Sequence, residues 1–291
     1  ESSKTLSYGP LWVAAKMGFF DKEGLDVPIV TMRGSPLTIQ ALTADSIYVA
    51  NATVDTLISA NEKGADLTMI GGLINGLGLS MIGGKPYKTS ADLRGTTIGT
   101  QTLTSGTGFA LRLVLKAHGM EYPRDYKLLN IGGAADRYQA LNSGQISSTP
   151  VGVPLDLVAK QQGYNIIGYF ADDEPNFQFN TYIVKRSWAE KNRPLLVRFL
   201  KGMVRAHRWV YANKEAAIDF LAKEIPLSPE MARRGWEYYT ANRIWHPNAE
   251  INLEGLKFTM QVYAEQNKDA PPDPQRYIDQ SFLRQAIKEL G

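Results

Sequence analysis

Short apolar runs alternate with helical patterns twice along this chain, and a glycine-rich stretch separates the two series. In the first series Lys4–Tyr8 reads as a strand, Leu11, Ala14, Ala15 and Gly18 mark one face of a helix entered at Pro10, and Gly24 stops it. Leu25–Met32 is expected as a strand, then a helix from Gly34 to about Ala44, a strand over Ser46–Ala50, a helix over Thr53–Lys63 and a strand over Leu67–Ile70. Gly71-Gly72, Gly76, Gly78 and Gly83-Gly84 follow, framing a strand over Leu79–Ile82 and suiting a crossing between domains. The second series has strands at Thr96–Thr100, Leu128–Ile131, Ile146–Val151 and Asn165–Phe170. Its helices fall at Thr104–His118, Ala134–Ser143 and Pro154–Gln162. This order predicts parallel α/β sheets.

Asp172–Asn176 is a polar break, and Thr181–Lys185 reads as a strand that returns the chain to its first half. Beyond Trp188 the pattern is helical, with Leu196, Phe199, Leu200, Met203, His207 and Val210 on one stripe. Helices are also expected over Ala216–Ile225, Pro229–Thr240, a run capped by Asn252, and Tyr277–Leu290. One domain is therefore built from both ends of the chain, residues 1–78 and 186–291, and a second from residues 79–185, leaving a cleft between them. A length of 291 residues suits two domains of ordinary size.

Composition removes several function classes. The chain has no cysteine, so thiolate nucleophiles, thiolate metal sites and disulfides are absent. A formal charge of +3 with interspersed signs lacks the clustered Lys and Arg of a nucleic-acid face. No apolar run reaches the length of a membrane span. There is no G-x-S-x-G elbow, H-E-x-x-H pair or Walker loop. His118 and His207 fall on helix patterns and His246 in a loop, with no metal-ligand spacing. Asp172-Asp173-Glu174 lacks the alternating spacing of a cation loop and reads as a solvated turn.

What remains is a set of turns at strand ends, where open α/β sheets take their ligands. In the first half these are Tyr8–Trp12, Arg33–Ser35, Asn51–Thr53 and Leu73–Asn75. In the second half they are Gln101–Thr107, Gly132–Ala134 and Val151–Pro154, with Val153 in the last. Thr102, Thr104, Ser105, Gly106 and Thr107 open a helix. Free backbone N–H groups and hydroxyls there could hold an anion, or could form an N-cap alone. Position 111 is leucine, so a dinucleotide fingerprint is incomplete. Arg33 could fork onto a carboxylate or sulfonate, or stand as a solvated loop charge. Two readings of Trp12 stand: an aromatic cleft wall beside Tyr8, or a core side chain. Phe177 and Asn180 lie in the return segment, where some groups would close over the cleft and a phenylalanine could equally enter the core.

The opening, Tyr8-Gly9-Pro10 through Gly18-Phe19-Phe20 to Glu23-Gly24-Leu25-Asp26-Val27, resembles solute-binding proteins of nitrate, sulfonate and taurine ABC importers and their relatives that bind thiamine precursors. Further phrases fit in order: Asp92-Leu93-Arg94-Gly95-Thr96-Thr97-Ile98-Gly99, Gly133–Arg137, Ala140–Ile146 and Tyr277–Leu283. Ser147 or Ser148 stands where that family often has Asp. The resemblance implies the two-lobed periplasmic binding protein fold of type II, with two crossing segments. It also implies capture of a small molecule by lobe closure, delivery to permease subunits, a periplasmic or lipid-anchored location, and a monomer without cofactor. The chain opens at Glu1 with no leader, so export rests on the resemblance. Hydroxyls, amides, aromatics and Arg33 among the nominated turns point to a small organic anion, a sulfonate or carboxylate with aromatic members included. The alternatives are an enzyme on the same scaffold, resembling the fungal pyrimidine synthase, and a sensory domain of a regulator. The first would need the cysteine-rich loop this chain lacks, the second an attached output domain.

Overall fold

The computed structural model describes residues 5–32, 34–225, 227–268 and 271–291. Its strands are β1 (Ala50–Thr53), β2 (Leu67–Ile74), β3 (Ser80–Gly83), β4 (Thr97–Thr100), β5 (Lys127–Asn130), β6 (Ser148–Val151), β7 (Asn165–Tyr169) and β8 (Asn180–Lys185). They form two sheets, one ordered β1-β8-β2 and the other β5-β4-β6-β3-β7.

Neither sheet is purely parallel, which corrects the expectation from the β/α alternation. In the first sheet β8 lies between β1 and β2 and pairs antiparallel with both. In the second, β4 runs parallel with β5 and β6, whereas β3 is antiparallel to β6 and β7. The cause is that β3 and β8 carry the chain from one sheet to the other, and each enters its new sheet against the local direction. Because β8 pairs with β1 and β2, residues 180–185 go with the first sheet. The two crossings are therefore the stretches between Ile74 and Ser80 and between Asp173 and Asn180.

Other expectations fail locally. Leu6–Tyr8 is a 3-10 turn, and Lys4 lies outside the described residues. Residues 25–32 pair with no strand; Leu25, Val27 and Ile29 nevertheless turn inward at every second residue, against the core. The helix begun at Gly9 ends at Lys16, and Gly24, with φ +67°, closes a short 3-10 turn over Asp21–Glu23 instead. The strand expected over Ser46–Ala50 begins only at Ala50, and the polar break opens as a helical turn, Phe170–Asp173.

The helices follow their periodicity and caps. Helix Arg193–Ala212 buries its whole predicted stripe against helices Gly9–Lys16 and Ser281–Leu290 and the first sheet. Each such apolar side chain is worth about 1.5–3 kcal/mol of burial. Ser105, Ser228 and Asn252 cap helices Gly106–Ala117, Pro229–Ala241 and Leu253–Asn267, accepting from Gly108, Met231 and Gly255 N–H at 3.3, 3.2 and 3.0 Å. A second core runs continuously from the first sheet into the second. Leu57 and Ile58 of helix Val54–Glu62 join Leu77, Met81, Phe109, Leu113, Phe177 and Met260. A smaller third core, including Ile82, Leu141, Ile146 and Val151, fills the far side of the second sheet.

Candidate functional site

The loops at the strand ends of the two sheets converge. At the start of β8 the Asn180 amide, 3% exposed, donates to Asn51 Oδ1 at 2.8 Å and to Tyr8 Oη at 3.4 Å. Asn51 in turn donates to the Thr181 carbonyl at 3.4 Å. Strand β1 ends at Thr53, whose N–H is held by Ser35 Oγ at 3.1 Å and whose hydroxyl lies 3.0 Å from that of Thr56. Tyr8, Asn51, Thr53 and Asn180, read from separate parts of the sequence, thus form one polar surface.

The second sheet supplies the facing wall. Gly106, at the start of helix Gly106–Ala117, sits so close to Thr53 that a Cβ there would lie 2.9 Å from both Thr53 Cβ and Oγ1. The Gln101 side chain lies against Gly34. Ser105 is buried and ties the turn together, accepting from Thr102 N–H at 3.2 Å and donating to the Thr102 carbonyl at 2.8 Å. Thr102 Oγ1 is enclosed without a hydrogen-bond partner among the described residues. Thr107 is half-buried beside Gly106, whereas Thr104 is exposed on a groove that runs outside this contact, between helices Val54–Glu62 and Gly106–Ala117. Ser105 acts as an N-cap, and Thr53 covers the start of the helix. The predicted anion turn is therefore occupied, in this arrangement, by a side chain of the other sheet.

On the other flank Val153 is 8% exposed and approaches Gly235 of helix Pro229–Ala241. Here the structure adds groups that sequence reasoning missed. Tyr239 Oη lies 2.7 Å from Ser7 Oγ and seats against Gly78, and its ring stacks on Trp245 at 4.6 Å. Trp245 Nε1 donates to the Ser7 carbonyl at 3.0 Å. Asp156, 3% exposed, accepts from Ser80 Oγ at 2.9 Å and Leu157 N–H at 2.8 Å; burial raises its pKa. Burial also pushes the Tyr238 phenol up to about 12, with Asp172 and Asp156 adding to it. A faint signal existed in the sequence: Gly235 and Tyr239 stand one helical turn apart, as a close approach beside an aromatic requires.

Three predicted residues, Trp12, Val153 and Phe177, sit in cores. Trp12 is 9% exposed in the first core, and Phe177 is 1% exposed, packed with Phe109, Phe179 and Phe258. Arg33 lies outside the described residues. His118 is exposed and meets Asp173 at 2.9 Å. His207 is fully buried in its stripe, and His246 Nδ1 accepts the N–H groups of Asn248 and Glu250 at 3.2 and 3.3 Å. Among the described residues no three His, Asp or Glu side chains gather as metal ligands, and no helix is long and apolar enough to cross a membrane.

The chain is 24% identical over 263 residues to the binding protein YtlA of Bacillus subtilis, covering 87% of this chain and 78% of that one. In three dimensions it resembles the periplasmic nitrate-binding protein NrtA of Synechocystis, with a TM-score of 0.78 at 17% identity, covering 98% of this chain and 86% of that one. It also resembles the alkanesulfonate-binding protein SsuA of Xanthomonas axonopodis bound to MOPS, with a TM-score of 0.74 at 17% identity and 92% coverage of each chain. At such identities the likeness is one of fold: two sheets, two crossings and the architecture of periplasmic binding proteins. Residues 6–217 match the family described as NMT1/THI5 like, and the chain belongs to that family.

Proposed function

We propose that this protein is the substrate-binding component of an ABC importer, working outside the cytoplasm. Residues 1–78 and 180–291 form one lobe and residues 79–179 the other. The observation that carries this reading is the meeting of Gly106 with Thr53 beside the polar surface of Asn180, Asn51 and Tyr8. Groups from both sheets meet there, and bending the crossings would open and close that contact. No covalent step is needed for capture, and YtlA bears the name of a binding protein.

The ligand we propose is a small organic anion, a sulfonate or carboxylate, with Arg33 and the polar groups of Tyr8, Asn51 and Asn180 as its candidate contacts, and with Thr102 and Thr107 reached only once Thr53 withdraws from the start of helix Gly106–Ala117. The fold shared with a sulfonate binder and a nitrate binder supports this class. The partly buried ring of Tyr8 beside Asn180 favours an organic body over bare nitrate. Permease subunits would receive the ligand from the closed form.

Native mass spectrometry of the purified protein, followed by calorimetry with alkyl and aryl sulfonates, carboxylates and nitrate, tests the proposal. Binding of an organic anion that weakens at least tenfold in Asn180→Ala, the loss of one or two hydrogen bonds, is the expected result. Binding of neutral compounds alone, with Arg33→Ala silent, would refute the anion.

A further inference from the structure

Both crossings are tied at their first-sheet ends by one buried side chain. Gln178 is fully buried, and its Nε2 faces three acceptors: the Ile74 carbonyl at 3.2 Å, Asn75 Oδ1 at 2.9 Å and the Asn180 carbonyl at 3.0 Å. Its Oε1 accepts Asn252 N–H at 2.8 Å, and its backbone N–H donates to Thr259 Oγ1 at 3.2 Å. Asn75, 5% exposed, extends the network, donating from its amide to the Glu250 carbonyl at 2.7 Å and from its backbone to the Ile244 carbonyl at 2.8 Å. The Phe179 N–H donates to the Ile74 carbonyl at 3.0 Å, closing the knot.

A second tie lies at the far end. Phe170 N–H donates to the Leu79 carbonyl at 2.9 Å, where β3 enters the second sheet and β7 leaves it. Between the two ties lie Gly76–Gly78 in the first crossing and the longer stretch Ala171–Phe177 in the second. A fully hydrogen-bonded buried network of this kind holds one geometry, because each partner it lost would leave a buried polar group unpaired.

We propose that Gln178 is the positioning residue of the hinge. It fixes the roots of both crossings to the carboxy-terminal segment Ile244–Thr259, confines bending to Gly76–Gly78 and Ala171–Phe177, and sets the place of Asn180 through its carbonyl. The segment Ile244–Thr259 is thereby a third strap of the hinge, contributed by no crossing. This inference rests on the reading that the two lobes move.

The chain lacks cysteine, so a spin-label pair on introduced cysteines at Lys22 and Lys160, exposed positions in the two lobes, is unique. The measurement is the ligand-free interlobe distance distribution by pulsed electron resonance, beside thermal unfolding. Gln178→Glu places a carboxylate against the three acceptors and should broaden or shift the distribution while unfolding stays cooperative. Release of an anion bound by the wild type should also quicken about tenfold. An unchanged distribution in Gln178→Glu and in the uncharged Gln178→Met, with only the melting temperature lowered, overturns the proposal. Should the glutamate variant fail to fold, Thr259→Val, remote from the cleft, carries the same expectation and the same refutation. The distances are read without ligand, so a protein that bound no anion would count against the proposed ligand while the hinge assignment would still be decided.

Discussion

Gly106→Ala should keep the two lobes from meeting. The added Cβ would lie 2.9 Å from Thr53 Cβ and from Thr53 Oγ1. Carbon atoms in good contact stand about 3.5–4.0 Å apart, so the walls must part by roughly 1 Å. The nearest atom is Thr53 Cγ2, and rotation about χ1 would move Cγ2 and Oγ1 away but leave the contact with Cβ. Overpacking of this size costs about 1–3 kcal/mol, which as a penalty on the closed form alone weakens ligand binding by roughly 5- to 150-fold. Alanine is otherwise the better helix residue, and the position has no left-handed φ, so the helix itself should not suffer. The assay is the interlobe spin-label distance with and without ligand, beside calorimetric affinity. The wild type should shorten on binding and Gly106→Ala should stop short. Thr53→Gly in the same chain should recover most of the affinity. Equal distances and affinities for wild type and Gly106→Ala would refute the claim that this contact marks closure.

Three further expectations concern stability. Burial holds the Asp55 carboxyl up at about 6 against 3.8 unfolded. Its contribution is full below pH 3.8 and is lost as pH rises through 6, so Asp55→Asn should stabilise the protein at pH 8 by up to about 3 kcal/mol and change it little at pH 4, read from urea midpoints at the two values. His207, fully buried, is held down at about 3 from 6.5. The stability it contributes is present above pH 6.5 and is lost as pH falls toward 3, up to about 5 kcal/mol in all; an apolar His207→Leu should flatten that acid limb in melting experiments between pH 7 and pH 4. Tyr239→Phe removes the 2.7 Å hydrogen bond to Ser7 but keeps the stacking on Trp245, so a loss of about 0.5–1.5 kcal/mol in chemical denaturation is expected, and a larger loss would point to a role for the phenol beyond that bond.

How far each feature was legible depended on whether its cause was local. The stripe from Leu196 to Val210 was readable because helical period and burial coincide within one element. The caps Ser105 and Asn252 were readable because their partners stand three residues on. Residues 25–32 show the inward alternation of a strand without the ladder, since alternation records which side faces the core and not whether a partner is present. The antiparallel place of β8 was illegible, because Ala50 meets Ile183 across a separation that no window spans. In the site, Asn51, Thr53 and Asn180 were found from the rule of strand ends. Ser7 and Tyr239 were missed because they meet only in space. Trp12 and Phe177 show the limit of composition: an aromatic ring carries the same signal whether it lines a cleft or fills a core.

The insertion of β8 between β1 and β2 also dictates an order of assembly. The strands of the second sheet all fall within residues 80–169, so that sheet can close as soon as this stretch of chain exists. The first sheet cannot, for β1 and β2 share no ladder and both pair with residues 180–185, while β2 also bonds Tyr277–Asp279 and Ala249 from still later in the chain. The amino-terminal segment must therefore wait, its apolar strands unpartnered, until the second unit has formed and returned β8 to it. A fragment ending before Asn180 should hold a structured middle and a disordered beginning.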